Sequence, residues 1–288
     1  MKKKKKIIII LCSVLVALVG LLVTLCLTTF SLKSISVDFR TSSLSETATQ
    51  EEIIEAGKFS KKCVLFYNKN QAKENIEEAY PYIKVINIET KFPSSFVIHV
   101  AYRQEVYAIT DGEKTAFLDE DLKVLRIESG EYTSSQSNAI LLKGITYPSA
   151  LKLSQTLSQK NYVDVYSAFL QSNLSLGMQK EIFKEIEFKV ERDENARKDY
   201  LNAYISLFSG QTIKILDVNY ALKYKANRAY NVYSSLYTFI GKEYNATSGE
   251  TITLTKEHLG SVTICVQSYY DRAHHKESET YFVLDFAH

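Results

Sequence analysis

Side chains able to do chemistry are present in this chain of 288 residues, but they are scattered. The five histidines, His99, His258, His274, His275 and His288, show none of the spacings by which a helix or loop gathers ligands around a metal ion. The adjacent His274-His275 pair reads as part of a solvated loop. Of the four cysteines, Cys12 and Cys26 fall in an apolar run near the N-terminus. Cys63 and Cys265 have the chemistry for one disulfide, yet two distant cysteines without a framework pattern more commonly rest as buried thiols. The acidic pairs Glu51-Glu52 and Glu77-Glu78 lie in stretches of helical periodicity and read as solvated faces. A hydrolase needs a base beside its nucleophile or metal ligands at helical spacing, and the sequence holds neither G-x-S-x-G nor H-E-x-x-H. The expectation is a protein without catalytic residues, metal or cofactor.

With no reaction to position, the elements themselves carry the argument, and the first is a membrane segment. Lys2 to Lys6 form an unbroken basic run, and no charged residue interrupts Ile7 to Phe30. At ~1.5 Å per helical residue that stretch spans roughly 36 Å, enough to cross a hydrocarbon core of ~30 Å. A cleaved secretory signal would have a shorter apolar region and a small-residue cleavage site, whereas this run ends Cys26-Leu27-Thr28-Thr29-Phe30. The lysines hold residues 1–6 in the cytoplasm, so everything beyond the 7–30 span is expected outside it. Five of the 35 basic residues precede Ile7, leaving 30 against 33 acidic groups, a balance of −3. Such a near-neutral ectodomain has no electrostatic reason to bind nucleic acid.

Beyond the span, Leu32, Ile35, Val37 and Phe39 mostly alternate and predict a strand. Thr49 and Glu52 have capping-box spacing, so a short helix should start there, bury Ile53, Ile54 and Ala56, and stop at Gly57. A second helix is predicted over Asn70 to Tyr80, with Ala72, Ile76 and Ala79 on one face and Pro81 ending it. Two strands follow. Ile83, Val85 and Ile88 lie in the first, whose phase slips at Ile86; Phe96, Ile98, Val100 and Tyr102 alternate along the second, after a turn at Phe92-Pro93-Ser94-Ser95. The remainder is strand-rich, with hairpin punctuation at Asp111-Gly112, Asp119-Glu120-Asp121 and Ser209-Gly210. Helical stretches are predicted near Ser149 to Leu170 and from Asp217, as N-cap, to Gly241, as stop. In the latter, Val218, Leu222, Ala229, Val232, Leu236 and Phe239 recur at helical spacing. Final strands are predicted at Thr251 to Leu254, Val262 to Gln267 and Thr280 to Asp285. The fold class is α+β.

This layout resembles the bacterial cell-division family FtsQ/DivIB, whose members join a short tail, one membrane helix, a small POTRA domain and a β-domain. The most specific stretch runs from Lys91 to Ala108 and is similar to the family's aromatic-Pro, alternating strand, then Glu-Arg-x-Pro-Val-Ala. Pro93, Arg103 and Val106 match; Tyr102 stands where the pattern has Glu, Glu105 where it has Pro, and Tyr107 where it has Ala. Ala116 to Leu125 resembles the strand-turn-strand that follows the POTRA domain. Ile213 to Leu236 resembles the family's strand and long helix, with Lys225 at its lysine position and Asp217 where glycine is usual.

The resemblance implies a POTRA-like domain over 31–104 and a β-domain over 105–288. It further implies an extracytoplasmic scaffold that holds bitopic division proteins of the FtsB/DivIC and FtsL type without catalysis. The family's partner edge lies in the β-domain after the long helix, which here corresponds to Thr251, Ile252, Thr253 and Leu254. An added partner strand would bind there through main-chain hydrogen bonds. The rival readings are a POTRA-type export or chaperone component and a membrane-anchored ligand-binding protein.

Overall fold

The computed structural model describes residues 2–40, 48–60, 63–133, 137–145, 147–158, 182–193, 198–245, 251–267, 270–271, 276–277 and 281–285. The chain divides into two compact units, Met1–Arg103 and Gln104–His288, and is α+β throughout.

The first unit begins with helix α1, Lys2–Thr28. Its window Leu11–Thr28 is long and apolar enough to cross a membrane, and its side chains stand outward, from Leu11 at 71% exposed to Leu27 at 72%. Lipid requires this of a spanning helix: backbone groups satisfied internally and an apolar surface all round. The hydroxyls of Thr24 and Thr28 donate to the carbonyls of Gly20 and Thr24, at 2.9 and 2.7 Å, so they add no unmet polar atoms.

After α1 come strand β1 (Ser34–Phe39), helix α2 (Gln50–Ala56), a 3-10 turn at Val64–Phe66, helix α3 (Lys69–Ala79) and strands β2 (Ile83–Lys91) and β3 (Ser95–Tyr102). They form a sheet in the order β1-β3-β2, with β1 parallel and β2 antiparallel to β3. The expected capping box is present: the Thr49 hydroxyl accepts from the Glu52 amide while the Glu52 carboxylate accepts from the Thr49 amide at 2.8 Å. The Thr49 amide and, at 3.0 Å, the Thr49 hydroxyl both donate to the Glu52 carboxylate and hold it below the usual carboxylate range. The phase slip at Ile86 is a β-bulge between Val85 and Asn87, which turns Ile86 outward, 41% exposed, while Val85 and Ile88 stay in the core. One expectation is corrected. On α3 the inward face is Ala72, Ile76 and Glu77, and Ala79 is exposed, because Glu77 has a buried partner described below. Ile53, Ile76, Ile83, Phe96, Ile98 and Val100 make the core, each such side chain contributing ~1.5–3 kcal/mol by burial.

The second unit is built on one nine-stranded sheet. Its strands are β4 (Tyr107–Thr110), β5 (Lys114–Leu118), β6 (Val124–Ser129), β7 (Ile140–Lys143), β8 (Phe183–Asp193), β9 (Lys198–Leu207), β10 (Thr212–Ile215), β13 (Thr263–Gln267) and β16 (Tyr281–Asp285). The order is β16-β13-β10-β9-β8-β7-β4-β5-β6. Helix α4 (Leu222–Ser234) packs on the sheet through Ala226, Ala229 and Val232, followed by a 3-10 turn at Leu236–Phe239. Strands β11 (Glu243–Asn245) and β12 (Thr251–Thr253) pair as a separate antiparallel ribbon, a short helix α5 (Lys256–Gly260) precedes β13, and β14 (Tyr270–Asp271) pairs with β15 (Lys276–Glu277).

The three hairpin signals fall between strands. At the β9–β10 turn, Gly210 has φ +99° and a Cβ there would lie 2.6 Å from the Gly260 carbonyl oxygen, so both conformation and space demand glycine. Two helix expectations need correction. Residues 149–158 form turns and an isolated bridge from Lys123 to Thr156 instead of a helix; residues 159–170 lie outside those described, as does the His274-His275 pair. Asp217 is not an N-cap. It sits in the left-handed region at φ +50°, and α4 begins only after Ala221. The early apolar residue Val218 belongs to the loop that enters the core, not to the helix face.

Candidate partner-binding edge

Thr251, Ile252 and Thr253 form β12, antiparallel to β11 in the register Glu243↔Thr253, Tyr244↔Ile252 and Asn245↔Thr251. Leu254 continues the pairing, its amide donating to the Lys242 carbonyl at 2.9 Å and its carbonyl accepting from Gly241 at 2.8 Å. Ladder groups alternate along a strand, so Leu254 and Ile252 turn their backbone groups toward β11 and Thr253 and Thr251 turn theirs away. Among the described residues no strand pairs with that second side. The side chains follow a matching division: Leu254 is buried and Ile252 packs on the core, whereas Thr251 and Thr253 are exposed.

The ribbon is not part of the nine-stranded sheet, whose terminal strands are β6 and β16. It is nonetheless tied to β16, since the Tyr244 hydroxyl accepts the Leu284 amide at 2.9 Å. That bond occupies one donor on the side of β16 turned from β13.

The other residues singled out in the sequence are structural in their surroundings. Pro93 is exposed in the β2–β3 turn, after a cis Phe92–Pro93 bond. Arg103 is buried, 7% exposed, and pairs with the equally buried Glu77 at 2.9 Å, which corrects the reading of Glu77 as a solvated helix charge. Val106 is buried and joins two strands: its amide donates to the Leu118 carbonyl and its carbonyl accepts the Ile140 amide, both at 2.8 Å. Lys225 is 1% exposed on α4; its ammonium donates to the carbonyls of Leu216 and Asp217, at 2.5 and 2.7 Å, and so closes the end of β10. Burial pushes its pKa down to about 8, against the charge of Asp217, which works the other way.

The departures from the family pattern have partners of their own. Glu105 is held by a two-pronged contact with Arg126, at 2.5 and 3.3 Å, and that guanidinium lies 3.7 Å from the centre of the Phe117 ring. Tyr102 stacks on Tyr82 with ring centres 5.5 Å apart. Asp217, at its left-handed φ, stands where the pattern has glycine, the residue that adopts that conformation without strain.

Sequence reading missed a polar cluster on β8, β9 and β10. Glu191 accepts from Asn202 at 2.7 Å, from Lys214 at 2.9 Å and from the Tyr204 hydroxyl. Burial opposes ionisation of Glu191, but the hydrogen bonds from Tyr204, Lys214 and Asn202 prevail and hold its carboxyl below the usual range. Cys265 pairs with Lys214 in the ladder, and burial pushes its thiol up. Strand alternation could have placed these residues on one face, but only the register brings them together. All four cysteines are free thiols, and Cys63 lies 2.8 Å from Cys26. No group of three or more metal-ligating side chains occurs among the described residues.

The family model for a POTRA domain of FtsQ type matches residues 30–103. The chain is also 36% identical over 129 residues to a protein named cell division protein DivIB from Clostridium acetobutylicum, an alignment covering 44% of this chain and 48% of that protein. The chain thus matches about half the length of this relative. With the apolar helix and the strand order β1-β3-β2 already described, these similarities liken the first unit to the POTRA domain of FtsQ-type proteins and part of the chain to DivIB.

Proposed function

We propose that the chain is a non-catalytic scaffold of the bacterial cell-division machinery. Residues 1–6 lie in the cytoplasm, α1 crosses the membrane, and the POTRA-like unit and β-domain stand outside. There the β-domain captures bitopic division proteins of the FtsB/DivIC and FtsL type. The supporting observation is the strand Thr251–Thr253, paired on one side only among the described residues and held from beneath by Leu254. A partner segment adds to it as a further strand, bonding to the outward amides and carbonyls of Thr251 and Thr253 while alternate side chains select it. The division role follows from the relative's name and the FtsQ-type domain.

The test is Thr253→Pro in the membrane-anchored protein, measured as capture of the partners' extracytoplasmic segments. The lost amide points away from β11, so the ribbon keeps its own ladder. Capture should fall to background while the circular dichroism and melting of the protein stay unchanged. Full capture by that folded variant would remove β12 as the binding edge.

A further inference from the structure

We propose that the end of the POTRA-like unit next to α1 is seated in the lipid interface, through the exposed apolar side chains Leu65, Phe66 and Phe92. This rests on the reading of α1 as a membrane span and adds a second point of contact with the bilayer.

The chain path fixes the depth of this surface. Thr29 and Phe30 return their amides to the Leu25 carbonyl, at 3.0 and 2.9 Å, closing the helix. The Phe30 carbonyl then accepts the Val64 amide at 2.8 Å, and Ser31 forms a bridge with Cys63. Cys63 in turn lies 2.8 Å from Cys26, and Cys26 belongs to the apolar window Leu11–Thr28. A residue of the folded unit therefore stands level with the last turn of the spanning helix, about 3 Å short of its end along the axis. The Lys33 amide donates to the Ser94 carbonyl at 2.8 Å, which ties the β2–β3 turn to the segment that leaves α1.

From these two tethered segments stand the exposed apolar side chains. Leu65 and Phe66 directly follow the Cys63–Val64 tether and are 43% and 75% exposed; Phe92, in the β2–β3 turn, is 68% exposed. Apolar side chains on two separate segments flanking the helix exit match the hydrophobic fringe of a bilayer, where aromatic rings concentrate at the headgroup boundary. Lys33 follows the exit in sequence, and its aliphatic stem can rest on the same boundary while its ammonium reaches lipid phosphate; the Lys91 ammonium, next to Phe92 in sequence, is held by Glu89 at 2.7 Å. The opposite end of the sheet lacks this placement: Tyr102 closes β3 about 23 Å from Ser95 at ~3.3 Å per residue.

The chain contains no tryptophan, so single substitutions report position without background. Phe66→Trp, Phe92→Trp, Tyr102→Trp and Leu18→Trp are made in the full chain and reconstituted in phosphatidylcholine–phosphatidylglycerol vesicles whose acyl chains are unbrominated, brominated near the headgroup, or brominated near the bilayer centre. Leu18→Trp, in the middle of α1, should be quenched by deep bromines and establishes the span. Phe66→Trp and Phe92→Trp should emit to the blue of Tyr102→Trp and lose intensity to shallow bromines, while Tyr102→Trp stays unquenched. Quenching at Leu18 with none at Phe66 and Phe92 overturns the seat and leaves the span intact. Absence of quenching at Leu18 removes the span and the seat with it.

Discussion

The guanidinium of Arg103 meets the carboxylate of Glu77 at 2.9 Å, both side chains under a tenth exposed, and the second oxygen of Glu77 takes the amide of Val85 at 2.9 Å. One carboxylate on α3 thereby satisfies the backbone at the bulge of β2 and anchors the end of β3. The Arg103 amide completes the joint by donating to the Tyr82 carbonyl at 2.8 Å. Arginine at this position is explained by the folded unit itself, without any partner.

Removing one member of such a buried pair costs about 3–5 kcal/mol, and here Lys73, 3.9 Å from the same Glu77 carboxylate, offsets part of the loss when Arg103 is the member removed. Arg103→Met should therefore lower the midpoint of denaturant unfolding of the POTRA-like unit by that order. Arg103→Lys should recover only part, since an ammonium does not reproduce the planar fork of the guanidinium. The double variant Arg103→Met with Glu77→Leu should lose less than the sum of the two single changes, because the second removes the charge that the first strands. Strict additivity would show that the two side chains do not act as a pair.

Lys225 makes stability depend on pH in a stated direction. Its folded pKa is about 8 against an ordinary value of 10.5, so below pH 8 the folded and unfolded chains both carry the proton and the full cost of burying it is present. Between pH 8 and 10.5 the unfolded chain holds more protons, and stability rises with pH. The melting temperature of the second unit, taken as the difference between wild type and Lys225→Met, should climb across that window and level off above it. The neutral amine still donates to the Leu216 and Asp217 carbonyls, so the wild-type bonds survive deprotonation. A difference that is flat across the window would mean that Lys225 titrates as an exposed lysine does.

What the sequence disclosed is governed by what a local pattern can encode. Period-two alternation located β1 and β3; the Thr49-Glu52 spacing located a cap; the phase slip at Ile86 falls where the structure has a bulge. Backbone sign is not encoded this way. Asp217 precedes an apolar helical pattern and looks like an N-cap, yet its φ of +50° puts it in a loop that leads Val218 into the core. Ionic partners distant in sequence are equally hidden. Nothing in Glu77-Glu78 distinguishes the buried Glu77 from its neighbour until β3 delivers Arg103, and nothing marks Glu105 as the partner of Arg126 until β6 lies beside β5. The strand Thr251–Thr253 was legible as a strand, whereas its membership of a two-stranded ribbon, and the bond from the Leu284 amide to Tyr244, depend on pairings that local periodicity does not carry.

The last prediction concerns the thiols at the membrane exit. Cys26 and Cys63 stand 2.8 Å apart, one on the spanning helix and one on the tethered loop, while Cys12 lies four turns of helix from the exit and Cys265 belongs to the second unit. Oxidation removes one hydrogen from each thiol and joins the sulfurs, the two electrons passing to an added diazene oxidant such as diamide. Under limiting oxidant in vesicles, the protein should lose the mass of two hydrogens, and proteolysis without reductant should yield one linked peptide pair containing Cys26 and Cys63. Cys63→Ser should abolish the product without raising dimer formation through Cys12 or Cys265. Slow, mixed or intermolecular linkage in the wild type would mean that the loop at Cys63 does not rest against the end of α1, since thiols held in contact react within the chain before they meet another molecule.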